Sequence, residues 1–108
     1  MSKTPASKGI AISMADAVGY ADDAVISKTL LDKPTGTLTL FSFDAGQGLS
    51  EHTSPYDATV QILEGAAAIT IDGKTQHVTA GNLVIMPANV PHALKAEERF
   101  KMLLIMIR

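Results

Sequence analysis

The stretch AAAITIDGKTQHVT, residues 66–79, decides how the rest of the chain is read. Ala66–Ile71 and Lys74–Thr79 are short runs bounded by turn residues and joined by Asp72-Gly73. Both of those residues tolerate the positive φ of a two-residue hairpin turn, so the pair marks an antiparallel β-hairpin. Val78 takes the core face of the second run, which leaves its neighbour His77 on the outside, because side chains alternate along a strand.

Working outward, the same grammar repeats. Toward the N-terminus, Thr59–Leu63 ends at Glu64-Gly65, Leu49–Ser54 ends at the turn Pro55–Asp57, and Ala24–Leu31 ends at Asp32–Gly36. Thr37–Asp44 alternates, with Leu38 and Leu40 on one face and Phe41 and Phe43 on the other, and Ala45–Gly48 breaks it. Toward the C-terminus, Leu83–Met86 runs into Pro87, His92–Lys95 is short, and Phe100–Ile107 is strongly apolar. Such a run is buried on both faces if it is a strand, or else forms the seam of a dimer. Phe41, Phe43, Met86, Leu94, Met102 and Met106 read as core or pocket wall, and the pattern does not say which of them face inward.

Many short strands divided by Gly, Pro and Asp turns predict an all-β sandwich or barrel. After Ala24 no segment is long enough for a crossover helix, which excludes parallel α/β folds. Upstream, Gly9–Ser13 offers one short strand. Ser13 with Asp16 offers either a capped helical turn ended by Gly19 or a plain turn, so the architecture allows at most one short helix near the N-terminus. Residues 1–8 are expected to be a loose segment, and 9–108 one barrel domain.

The composition suits a globular fold, with 46% apolar and 19% charged residues in 108. There is no cysteine, hence no disulfide, zinc knuckle or thiol chemistry. The net charge of −2 comes from scattered residues, and the three Phe and two Tyr are not interleaved with Lys or Arg. No nucleic-acid partner is expected. Met1–Gly9 carries no apolar signal-like stretch and no run approaches membrane-spanning length, so no membrane partner and a cytoplasmic location are expected.

Glycine, proline and histidine add a longer-range pattern. Gly46 is followed after five residues by His52, after one more by Ser54, after three by Ala58 and after six by Gly65. Gly81 is followed after five by Pro87, after one by Asn89 and after two by His92. Asn89 stands at a turn where the left-handed conformation is needed, and Asn is the non-glycine residue that best tolerates it. This two-block spacing resembles the cupin signature, which implies a jelly-roll barrel, a double-stranded β-helix. In cupins that hold a metal, the first block supplies two histidines and a glutamate and the second supplies one histidine. Carried onto this chain, those four positions are His52, Ser54, Ala58 and His92. A hydroxyl and a methyl therefore replace two ligands. Asp57, in the turn beside Ala58, is the one neighbouring carboxylate whose direction strand parity does not settle.

The resemblance thus implies a small organic ligand bound in the barrel by His52, Ser54, His92 and the wall at Ala58. His52 and His92 would be the remaining metal-binding residues of an incomplete site. No cofactor is certain, and a divalent metal (Fe, Mn, Ni, Zn or Cu) is the candidate. Two other readings stay open. One is a metal-dependent enzyme of dioxygenase, isomerase or decarboxylase type that uses both histidines. The other is a structural homodimer in which Gly9–Ser13 and Phe100–Ile107 form the contact.

Overall fold

The computed structural model describes residues 8–108. The loose segment expected over residues 1–8 falls, apart from Lys8, outside them. Nine strands follow: β1 Val25–Lys33, β2 Gly36–Phe43, β3 Gly48–His52, β4 Ala58–Glu64, β5 Ala66–Ile71, β6 Lys74–Thr79, β7 Leu83–Met86, β8 His92–Lys95 and β9 Phe100–Ile107. All pairings are antiparallel, in two sheets of order β1-β2-β9-β4-β7 and β3-β8-β5-β6. The described residues contain no α-helix, and so none long and apolar enough to cross a membrane.

The inner faces of the sheets enclose one core that includes Phe43, Val60, Ile62, Ile69, Leu94, Phe100 and Met102. Phe41, Phe43 and Phe100 form an aromatic stack: the last two are nearly parallel at 4.4 Å, and Phe41 lies 5.9 Å from Phe43. Phe43 and Phe100, both fully buried, each stabilise the fold by about 1.5–3 kcal/mol. The stack closes the barrel at the end where β2 leaves and β9 begins.

β9 occupies the centre of the larger sheet, which explains its apolar run from Met102 to Ile107. Phe100 and Met102 point into the barrel, while Leu103 and Ile105 belong to a second cluster with Leu40, Val18, Met14 and Ala17. This second cluster lies outside, where the segment before β1 crosses the sheet as a strap. Polar bonds fasten the strap: Lys101 Nζ donates to the Ala15 carbonyl, Ser42 Oγ to Gly19 O at 2.7 Å, and Tyr20 OH to Glu64 Oε2 at 2.6 Å. Asp44 accepts from Asp23 N–H and from Arg99 Nε, both at 2.7 Å. The Arg99 guanidinium, followed by that backbone donor, holds the Asp44 carboxyl below its usual range.

At the N-terminal end one expectation changes and one open alternative is settled. Gly9–Ser13 does not form a strand: no strand precedes β1 among the described residues, and Ile10 is 67% exposed. A strand needs a ladder partner, and among the described residues this stretch makes no backbone bond to either sheet edge. At Ser13 the plain turn forms, with Ser13 Oγ on Asp16 Oδ2 at 2.9 Å and Asp16 N–H on Ser13 O at 3.2 Å.

Candidate functional site

His52 ends β3 and His92 begins β8, and the two are directly paired across the ladder. Their ring centroids lie 4.4 Å apart, edge to face at 71°. The pairing depends on an irregularity. Leu49 pairs with Leu94 and His52 with His92, so three steps along β3 match two along β8. One extra residue is therefore absorbed at Ser50-Glu51, as in a β-bulge. Strict alternation from Leu49, which packs on the core, would have turned Glu51 inward and His52 outward. The bulge reverses this.

Each imidazole is held by the carbonyl two residues before it. His52 Nδ1 lies 2.6 Å from Ser50 O, and His92 Nδ1 lies 3.1 Å from Val90 O. A carbonyl oxygen only accepts, so Nδ1 carries a proton in both rings, and in the neutral tautomer Nε2 is the acceptor. His92 is 3% exposed, whereas His52 stands at the rim.

Opposite this pair, the larger sheet presents one in-register row on its inner face. Met106 pairs with Thr37 on one side and with Ala58 on the other, and Ala58 pairs in turn with Met86. The smaller sheet faces it with the row His52, His92 and Ile71. Two five-residue connections, 53–57 and 87–91, lead from one row to the other. They are tied together where Asn89 N–H donates to Ser54 O at 2.7 Å and Ala88 N–H to Asp57 Oδ1 at 2.8 Å. Asn89 adopts φ 64°, the left-handed turn its residue type suggested. The mouth is therefore at the end of the barrel away from the aromatic stack.

Each residue singled out in the sequence has a definite place. His52 and His92 meet. Ala58, 2% exposed, is part of the inner wall. Ser54 lies in the β3–β4 connection, where its Oγ accepts the Tyr56 N–H at 3.2 Å. Asp57 spends one carboxylate oxygen on the β7–β8 loop. His77 is on the outer surface, 2.9 Å from Glu97. Met86 and Met106, left without a direction by the sequence, flank Ala58; the parity of β9 counted from Phe100 is the signal that would have found Met106.

This donor set does not fit a resident divalent ion of the usual hard or borderline kind. Two imidazoles are present, but the Ser54 hydroxyl and the Asp57 carboxylate serve turns. Among the described residues no group of three or more His, Cys, Asp or Glu side chains is arranged to hold a metal. Glu51, beside His52 in sequence, lies exposed in the bulge.

A family model described as a cupin domain matches residues 39–108. A Streptococcus pyogenes protein of unknown function has a similar crystal structure, with 39% identity and a TM-score of 0.91, the match covering 100% of this chain and 96% of that one. A cupin superfamily protein from Desulfitobacterium hafniense is 28% identical with a TM-score of 0.89, over 95% of this chain and 94% of that one. A cupin 2 conserved barrel domain protein from Leptotrichia buccalis is 41% identical with a TM-score of 0.88, over 90% of this chain and 47% of that longer one. No curated protein sequence matches.

Proposed function

Because the chain belongs to the cupin family, we propose that it is a binding barrel whose mouth takes a small organic molecule bearing adjacent hydrogen-bond donors. The observation that carries this reading is the pair of Nδ1–carbonyl bonds at His52 and His92. In the neutral tautomer these bonds leave Nε2 as the acceptor of each ring, on two imidazoles whose centroids are 4.4 Å apart at the barrel mouth. A ligand with neighbouring hydroxyls, such as a vicinal diol or a catechol, offers each nitrogen a proton to accept. Ile71, Ala58, Met86 and Met106 provide a surface for its carbon skeleton, the combination of apolar wall and few convergent polar groups that small-molecule sites use. The Ser54 hydroxyl proton, not consumed by the bond from Tyr56, is a further donor at the rim.

A panel of diols and catechols tests this by thermal shift and calorimetry on the intact protein. At about ten times Kd, a true ligand stabilises the fold by about 1.4 kcal/mol, which is several degrees in Tm for a chain of this size. The double variant His52→Ala/His92→Ala should keep its circular dichroism spectrum and lose the shift. The proposal fails if no member of the panel binds, or if the double variant responds as the parent does.

The working unit in this proposal is a homodimer. Supporting it, Leu83 and Ile85 on the edge strand β7 are 56% and 58% exposed, and Ile107 is 71% exposed.

A further inference from the structure

We propose that the strap, residues 8–24, is a latch that lifts as a unit from the outer face of the larger sheet while both sheets stay folded. That face is separate from the barrel mouth, so the latch holds whether or not the mouth takes a ligand.

A polar cross-strand row lies beneath the strap. Ser42 pairs with Lys101 across β2 and β9, and Lys101 pairs with Glu64 across β9 and β4. Residues directly opposite one another share a face, so the row runs over three neighbouring strands. The next two pairs on the same face are apolar, Leu40 with Leu103 and Leu38 with Ile105. Every member of the polar row is bonded to the strap. Ser42 Oγ donates to Gly19 O at 2.7 Å, Lys101 Nζ donates to Ala15 O, and Glu64 Oε2 accepts from Tyr20 OH at 2.6 Å. With the strap bonded over them, Ser42 and Lys101 are only 1% and 8% exposed.

Little else holds the strap down. Val18 is its one buried residue. Among the described residues no backbone–backbone bond joins residues 8–23 to a strand; the Asp16 and Ala17 N–H groups bond back to Ser13 and Met14 within the strap. A segment with so few buried apolar contacts and no ladder opens at a lower free energy than the strands beneath it. Its side-chain anchors are worth little net, because water replaces each strap partner once the strap lifts. Lys101 then regains solvent and keeps Glu64, 3.8 Å away, as its counter-ion. Well-packed apolar side chains would hold a permanently closed strap at least as firmly as this polar row does. Lifting the strap removes Val18 from Leu40 and Leu103 and extends the apolar face already begun by Leu38 and Ile105.

The chain has no cysteine, so a single introduced thiol reports local opening. Val18→Cys places it under the strap, and Val60→Cys places it in the barrel core, where Val60 is fully buried. With dithionitrobenzoate and no denaturant, Val18→Cys should be labelled at least about a hundredfold faster than Val60→Cys. Low urea should accelerate Val18→Cys labelling far less, because lifting the strap exposes much less surface than global unfolding. Adding Tyr20→Phe removes one anchor and should raise Val18→Cys labelling about fivefold. Hydrogen exchange on the unsubstituted chain checks the same point without a core substitution. The Ala17 and Asp23 amides should be less protected than those of Val60 and Met102, with a weaker urea dependence. The proposal is overturned if strap and core share one opening free energy and one urea dependence, or if Tyr20→Phe leaves Val18→Cys labelling unchanged.

Discussion

Gly65 separates β4 from β5 at φ 76°, and a Cβ there would run into the Arg99 carbonyl and the Phe100 side chain. Backbone conformation and space both exclude a larger residue, so Gly65→Ala should cost about 2–3 kcal/mol. Gly73 has nearly the same φ, 78°, but an added Cβ would meet nothing within 4 Å. Gly73→Asn is therefore the control, expected to change stability by less than 1 kcal/mol. Urea denaturation compares the two, and equal midpoints would show that the close approach at Gly65 carries no energy. At this scale the sequence was informative about backbone, since the positive φ of Gly46, Gly65, Gly81 and Asn89 follows from residue type and spacing. It was less informative about side chains. That His52 and Leu49 share a face depends on one residue absorbed at Ser50-Glu51, and nothing in the local composition marks that bulge.

At the scale of elements, the strap before β1 shows what strand patterning leaves out. Tyr20 stacks beneath two cations, Arg99 at 5.1 Å and Lys101 at 4.9 Å from its ring, and bonds Glu64 through its hydroxyl. Burial, followed by the bond to Glu64 and the negative charge there, pushes the phenol well above its ordinary value of 10.0. The folded form thus keeps the Tyr20 proton more tightly than the unfolded chain does. The stabilisation is complete below pH about 10 and is lost as pH rises from there toward the folded value. Urea midpoints measured from pH 9 to 11.5 should fall more steeply for the parent than for Tyr20→Phe, and parallel curves would contradict the assignment. The strands themselves were legible: β5, β6, β7, β8 and β9 have the ends their turn residues suggested. The strap was not, because its anchors join residues as distant in sequence as Ala15 and Lys101.

For the molecule as a whole, the strap covers part of the outer face of the larger sheet and leaves Leu83, Ile85 and Ile107 exposed. One cross-strand row runs Leu31, Leu38, Ile105, Thr59 and Ile85 over all five strands and carries no charge. An apolar groove lined by Leu31, Leu38, Ile105 and Ile107 lies along it. If this band pairs with its own copy, sedimentation at micromolar concentration should give a dimer for the parent and a monomer for Leu83→Lys/Ile85→Lys, with the spectrum of the fold unchanged. A monomeric parent would remove the homodimer. The amino-acid sequence by itself determined that the chain is all-β, where its turns fall, and that two histidines forty residues apart belong to one pattern, because turn preference and strand alternation are local properties carried by each residue. Only the tertiary structure decided that a bulge aims His52 at His92, that Ser54 and Asp57 serve turns, and that Met86 and Met106 flank Ala58 in one row. Those facts are set by register between strands distant in sequence, where a one-residue shift sends a side chain to the opposite face.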